Sequence, residues 1–128
     1  MTERGVLDTS VLICPVAPLP GRLTISIVSV AELQYGVLVA RDENVRAQRL
    51  SRLTGLLRRF DPLPIDEAVA DSYAVLASAV TRAGRSPRPR AFDLLIAATA
   101  HAHRARLFSR NAEDLRGLED LLEVVAVP

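Results

Sequence analysis

The sequence has no lysine, no tryptophan and a single cysteine, Cys14, among its 128 residues. One cysteine excludes a disulfide framework and a zinc site built from cysteines. No apolar run approaches the roughly 18 residues that a membrane span requires, and the amino terminus does not resemble a signal peptide. We therefore expect no membrane association, a cytoplasmic location, and a buried Cys14 in the apolar run 11–14.

The charges nearly cancel, with a formal net charge of +1, so the chain as a whole is not strongly attracted to nucleic acid. Hydrophobic residues make up 49% of the chain and aromatic residues only 4%, which favours a globular core of aliphatic side chains. The length is that of one domain, predicted over residues 1–128. All 16 basic residues are arginine, a count that codon bias explains as well as function does.

Short apolar runs alternate with helical patterns along the chain. Strands are predicted at residues 5–7, 23–28, 60–65, 106–109 and 123–127, the third being short and proline-containing. Helices are predicted after Asp8 and at residues 29–40, 44–59, 66–83, 91–103 and 111–115. This alternation predicts an α/β fold with a mostly parallel central sheet flanked by helices, and such sheets bind ligands at the carboxyl ends of their strands.

Acidic residues follow four of these strands or open the helices beside them: Asp8, Glu32, Asp93 and Asp114. Gathered on one rim, their carboxylates would repel one another unless a hard cation such as Mg²⁺ or Mn²⁺ lay among them. Each acid also fits helix capping when taken alone, and Ser29 with Glu32 has the spacing of a capping box. The spacing by itself leaves metal binding and capping both open.

Four sequence blocks, in order, cover almost the whole chain: residues 6–10 (VLDTS), 25–36 (ISIVSVAELQYG), 92–100 (FDLLIAATA) and 108–115 (FSRNAEDL). Together they resemble the VapC toxins of the PIN-domain family. The resemblance implies a PIN-like three-layer α/β/α fold and an Mg²⁺- or Mn²⁺-dependent endoribonuclease, which hydrolyses RNA phosphodiesters with a metal-activated water. It also implies a type II toxin–antitoxin pair in which a cognate VapB antitoxin restrains the toxin, and a homodimer.

The same resemblance implies roles for individual residues. Asp8 and Asp93 would be the principal metal ligands, Glu32 a third acidic member, and Asp114 would position the water or the metal. Some family members carry their fourth acid where Asn111 stands, so the choice between Asn111 and Asp114 stays open. Ser109 stands where threonine is common, which keeps the hydroxyl group.

Arginines cluster in sequence on both sides of the helix that Asp93 opens, and we expect them to contact RNA phosphates, although each one alone also fits an ordinary solvated surface. They are Arg82, Arg85, Arg88, Arg90, Arg104, Arg106 and Arg110. His101 and His103 are two residues apart on a predicted helix and cannot share a face, so a zinc clamp is excluded.

Other functions on a similar sheet fit the residues less well. A phosphatase of the Asp-x-Asp type requires an acid where Ser10 stands, a receiver domain requires a lysine, and no glycine-rich phosphate loop is present. The remaining alternative is a catalytically inactive PIN-like module that binds RNA or a partner protein.

Overall fold

The computed structural model describes residues 3–14 and 18–128. Its strands are β1 (Arg4–Leu7), β2 (Arg22–Ile25), β3 (Arg106–Ser109) and β4 (Val124–Ala126), which form one sheet in the order β2-β1-β3-β4. All three strand pairings are parallel. The helices are α1 (Thr9–Ile13), α2 (Ile27–Leu38), α3 (Glu43–Arg59), α4 (Glu67–Arg82) and α5 (Ala91–Ala102). Short 3₁₀ helices span Arg88–Arg90 and Ala112–Leu115.

The sheet separates two hydrophobic cores because successive strand residues point to opposite faces. Val6 and Leu107 belong to the core that α4 and α5 cover, together with the fully buried Leu76 and Leu94. The adjacent residues, among them Phe108, belong to a second core that contains side chains of α1, α2 and α3. The predicted three-layer α/β/α arrangement with a parallel sheet is therefore confirmed.

Three local predictions are wrong. Strand β2 ends at Ile25 and α2 begins at Ile27, because Ser26 caps the helix by accepting a hydrogen bond from the Val28 amide at 3.0 Å. The strand predicted through residue 28 is therefore too long, and Ser29 is not the helix cap. Residues 60–65 make only an isolated bridge between Leu63 and Ser26, since two prolines interrupt the segment. Cys14 lies beyond the last residue of α1 and is exposed rather than buried.

The predicted end of α4 is confirmed. Gly84 has a φ of +80°, and its amide donates to the Thr81 carbonyl at 3.0 Å, while the Arg85 amide donates to the Val80 carbonyl at 3.1 Å. These are the two hydrogen bonds of a Schellman cap, in which glycine is favoured. In the described ranges, no helix combines the length and the apolar character that crossing a bilayer requires.

Candidate active site

Asp8 lies at the carboxyl end of β1, one of the two central strands, and only 6% of its surface is exposed. Its Oδ1 accepts a hydrogen bond from the Ser10 amide at 2.6 Å, which caps α1. Its Oδ2 accepts a hydrogen bond from the Ser109 hydroxyl, also at 2.6 Å. Both carboxylate oxygens are therefore held in fixed positions before any ligand binds.

Ser109 connects the end of β3 to Asp8. Its side chain is fully buried, and its Oγ accepts a hydrogen bond from the Asn111 amide at 2.9 Å while it donates to Asp8. The next residue, Arg110, donates its amide to the Ser10 hydroxyl at 3.0 Å. The comparison of sequence blocks indicated that a hydroxyl group is usual at position 109. It did not predict the contact with Asp8, because the two residues are 101 positions apart in the sequence.

Glu32 is tied to Asp8 through the neighbouring residue Thr9. The Thr9 hydroxyl donates to Glu32 Oε1 at 2.7 Å and lies 2.8 Å from the Ser29 hydroxyl. Because a hydroxyl has one hydrogen, donation to Glu32 makes Ser29 the donor to Thr9. Glu32 thus lies in the second turn of α2 and contacts α1, and the capping box predicted with Ser29 is wrong.

Asp93 lies in the first turn of α5 and is half-buried. Burial raises the pKa of its carboxyl group above the ordinary 3.8, and the negative charges of Asp8, Glu32 and Asp114 raise it further. The positive charge of Arg90 opposes these effects. The other three predicted acids therefore act electrostatically on Asp93.

Asp114 and Asn111 lie in the turn that follows β3, and both are exposed. Asn111 contributes its backbone amide to Ser109, whereas the charge of Asp114 reaches Asp93. Arg90 donates a hydrogen bond to the Asp114 carbonyl oxygen at 3.1 Å and so connects this turn to the start of α5. These contacts favour Asp114 as the fourth acid, and its role stays a prediction.

The donor chemistry suits a hard divalent cation, since every candidate ligand is a carboxylate oxygen. Within residues 3–14 and 18–128, no group of three or more His, Cys, Asp and Glu side chains is arranged to hold an ion. Mg²⁺ commonly binds through one or two carboxylates and keeps several waters, so two acids suffice. A cation would also relieve the repulsion that raises the pKa of Asp93. Which acids bind it stays a prediction.

A cavity of about 340 Å³ opens beside these acids, and Glu32, Asp93, Arg88, Arg90 and Phe92 are among the residues that line it. Phe92 is 59% exposed, whereas the other two phenylalanines of the chain are buried. The sequence interpretation overlooked Phe92. The signal was available, because a large aromatic side chain directly precedes the candidate ligand Asp93.

The predicted arginine cluster is divided between two ends of the molecule. Arg85, Arg90 and Arg110 lie at the carboxyl rim and donate hydrogen bonds to backbone carbonyl oxygens of Arg116, Asp114 and Cys14, respectively. Arg106 is instead the first residue of β3, at the opposite rim, and Arg104 precedes it. Strand β3 therefore places these two arginines at the rim opposite the acids, and their contact with RNA phosphates stays a prediction.

His101 makes a structural contact between two helices and does not have the surface role expected from the sequence. Its Nδ1 lies 2.8 Å from the hydroxyl of Ser72, a buried residue of α4. This pair helps to fix α4 against α5 and lies outside the cavity at Asp93.

Comparison with known proteins identifies the family. A family model described as PIN domain matches residues 5–120. The Mycobacterium tuberculosis protein named ribonuclease VapC8 is 41% identical over 101 residues, which cover 75% of this chain and 89% of that protein. Ribonuclease VapC5 of the same species is 37% identical over 127 residues, covering 94% of this chain and 91% of its relative.

Solved structures agree with these relatives. The crystal structure of VapBC-5, a member of the VapBC family of toxin–antitoxin systems from Mycobacterium tuberculosis, matches with a TM-score of 0.82 at 33% identity, over 97% of this chain and 98% of that chain. The FitAcB structure from Neisseria gonorrhoeae matches with a TM-score of 0.77 at 28% identity, over 94% and 95%. The chain therefore belongs to the PIN-domain family and is of the VapC type.

Proposed function

We propose that this protein is an Mg²⁺- or Mn²⁺-dependent endoribonuclease and the toxin of a VapBC-type toxin–antitoxin pair. The observation that carries the proposal is the placement of Asp93 and Glu32 on one cavity, where burial and the negative charges of Asp8, Glu32 and Asp114 raise the pKa of Asp93. Repulsion between carboxylates does not stabilise the folded protein, and a divalent cation bound among them would relieve it. The names of the relatives, ribonuclease VapC8 and ribonuclease VapC5, support RNA as the substrate.

The residues of the chain have distinct roles in this proposal. Asp8 and Asp93 hold the cation, and Ser10 and Ser109 keep the Asp8 carboxylate in place. When bound, Mg²⁺ or Mn²⁺ polarises the phosphate and lowers the pKa of an attacking water. Glu32 accepts a hydrogen bond from the Thr9 hydroxyl at Oε1, and its other carboxylate oxygen orients the attacking water. Asp114, in the turn after β3, helps to position the water or the cation.

The cavity beside Asp93 supplies contacts of two kinds for RNA. Arg88 and Arg90 present guanidinium groups to phosphates, which balances the repulsion between the acids and a polyanion. Phe92 presents an exposed ring on which an unstacked base can lie. Single-stranded RNA fits this combination because its bases are free to stack on a protein surface.

Replacing Phe92 tests the stacking contact. Phe92→Leu keeps an apolar side chain but removes the ring, and we expect it to weaken single-stranded RNA binding by about 1 kcal/mol, roughly fivefold. Phe92→Tyr keeps the ring and is the matched control, with binding close to that of the wild type. Fluorescence anisotropy in the presence of a chelator measures both constants. Equal affinities for the Leu and Tyr variants would contradict stacking.

A VapB-like antitoxin and a second copy of the chain are the proposed protein partners. The similar VapBC-5 structure belongs to a family of toxin–antitoxin systems, which supports an antitoxin partner. Tyr35 and Leu38 on α2 are 67% and 68% exposed, and large exposed apolar side chains of this kind commonly mark partner surfaces. The free thiol of Cys14 suits the reducing cytoplasm in which we propose that the pair acts.

Metal removal is the experiment that tests the proposed activity. We expect the purified protein to cleave single-stranded RNA with Mg²⁺ or Mn²⁺, to stop when a chelator removes the cation, and to resume when the cation is restored. Cleavage that continues in the chelator would contradict metal dependence. RNA binding without cleavage under any of these conditions would favour the catalytically inactive PIN-like module.

A further inference from the structure

The amino-terminal rim of the sheet carries a group of arginines that the proposed active site does not use. Arg4, Arg22 and Arg106 are the first residues of β1, β2 and β3, and Arg104 lies in the turn before β3. In a parallel sheet all strands begin at the same rim, so these residues lie at the end opposite Asp8. Arg106 is ion-paired with Glu3 at 2.9 Å.

Arg4 and Arg22 are direct neighbours without a balancing charge. They are paired in register on adjacent strands, which lie roughly 4.8 Å apart, and like charges in such positions are unfavourable. The side-chain ion pairs of residues 3–14 and 18–128 are Arg46–Glu43 and Arg106–Glu3, so neither arginine has a carboxylate partner there. The remaining residues, 1–2 and 15–17, include no acidic amino acid.

Both side chains open onto the same small cavity, which has a volume of about 200 Å³. Thr24 and His103 add a hydroxyl group and an imidazole ring to its wall. The other lining residues are apolar: Val6, Leu23, Leu63 and Ala105. None of the lining residues is acidic. The cavity therefore has two guanidinium groups on a wall that is otherwise neutral, and it favours an anion.

We propose that Arg4 and Arg22, with His103 beside them, form a second RNA-binding site for a backbone phosphate of the substrate. This site rests on the proposed ribonuclease function. Two guanidinium groups on one cavity match the several oxygens of a phosphodiester, since each can bind two of them. The apolar wall accommodates the sugar or base attached to it.

The position of the rim explains why RNA would need it. Arg88 and Arg90 offset the repulsion between the acids and phosphates only at the cavity beside Asp93, and the rim arginines would add binding strength for a longer RNA that extends beyond that cavity. The length of β1, four residues, separates the two sites by roughly 13 Å along the strand direction. Residues 60–65 lie along the outer side of β2 at the edge of the sheet, so an extended RNA chain that spans both sites has to pass over this segment, whereas a mononucleotide cannot reach both ends.

The test compares the double variant Arg4→Gln/Arg22→Gln with a charge-matched control, Arg41→Gln/Arg58→Gln, in the full chain. Arg41 and Arg58 are exposed and line neither of the two cavities. For a long single-stranded RNA we expect the rim variant to raise Kd about tenfold and to lose one phosphate contact, worth a slope of about 0.7 in log Kd against log salt. Anisotropy in the presence of a chelator measures both quantities.

A short oligonucleotide that fills only the cavity at Asp93 provides the second comparison. Its Kd, and its cleavage rate with Mg²⁺, are expected to be unchanged in the rim variant, and thermal melting is expected to show that the variant remains folded. Equal losses for long and short RNA, or losses no larger than those of the control variant, would overturn the rim site. In that case wild-type cleavage would leave the proposed ribonuclease function intact, whereas a wild type that neither binds nor cleaves RNA would overturn both.

Discussion

Asp93→Asn is expected to reduce RNA cleavage by about a thousandfold or more, because loss of a cation that supplies several kcal/mol of transition-state stabilisation has an effect of that size. The same substitution is expected to raise the melting temperature of the metal-free protein. Asparagine keeps the size of the side chain and removes a charge that burial and three neighbouring carboxylates disfavour. A loss of activity that accompanies a gain in stability is difficult to attribute to misfolding.

The stability gain should depend on pH in a defined direction. The folded-state pKa of Asp93 is raised above 3.8, so the native protein holds its proton more tightly than the unfolded chain does. The wild type therefore carries no penalty at pH values below both pKa values and loses stability as the pH rises from the unfolded to the folded pKa. The melting-temperature difference should be largest at neutral pH and should disappear in acid.

Thermal melting in a chelator and with added Mg²⁺ measures these effects. Because a ligand that binds only the folded state stabilises it, Mg²⁺ should raise the melting temperature of the wild type and have little effect on Asp93→Asn. Asp120→Asn is the matched control, since Asp120 is an exposed acid outside the site. A folded Asp93→Asn protein with wild-type cleavage would show that the catalytic site lies elsewhere.

The positions of Asp8 and Asp93 were predictable because they depend on local patterns. A short apolar run that ends at a helix-capping acid, as at Asp8, indicates both the strand and its carboxyl end. The alanine-rich segment after Asp93 likewise has the composition of a buried helix with an acid in its first turn. In a parallel sheet these two local features suffice to bring both residues to one rim.

The partners of these acids were not predictable, since they depend on which strands are neighbours. Ser109 contacts Asp8 only because β3 pairs with β1. The alternating pattern of one strand predicts that strand, but it does not predict which strands lie next to it in the sheet. The predicted start of α2 is too late because Ile27 and Val28 favour a strand by propensity. The helix cap at Ser26 and the burial of Val28 override that preference.

Arg106 shows the same limit for charged residues. The sequence places it close to Asp93 along the chain, and proximity in sequence suggested proximity to the site. A helix and a turn return the chain to the opposite rim before β3 begins, so Arg106 instead meets Glu3. Residues on either side of one helix therefore lie at opposite ends of a layered fold, and arginines that are close in sequence are divided between two rims.

Ser109→Ala is expected to lower RNA cleavage by about 10- to 100-fold, the usual effect of removing a group that orients a metal ligand. The substitution removes the hydroxyl that donates to Asp8 Oδ2 and accepts from the Asn111 amide. Asp8 would then be held mainly by the Ser10 amide and could rotate away from Asp93. The concentration of Mg²⁺ needed for half-maximal activity should rise, which a general loss of stability would not produce.

Two further variants separate positioning from stability. Ser109→Thr keeps the hydroxyl and should restore much of the activity, although its added methyl group costs some packing at a fully buried position. Ser72→Ala is the matched control, because it removes another buried hydroxyl, 2.8 Å from His101, outside the site. Both alanine variants should lose stability, by about 1–3 kcal/mol for a buried partner left unsatisfied. If Ser72→Ala also raised the Mg²⁺ requirement, the effect of Ser109 would be one of stability, and the contact with Asp8 would have no separate role in catalysis.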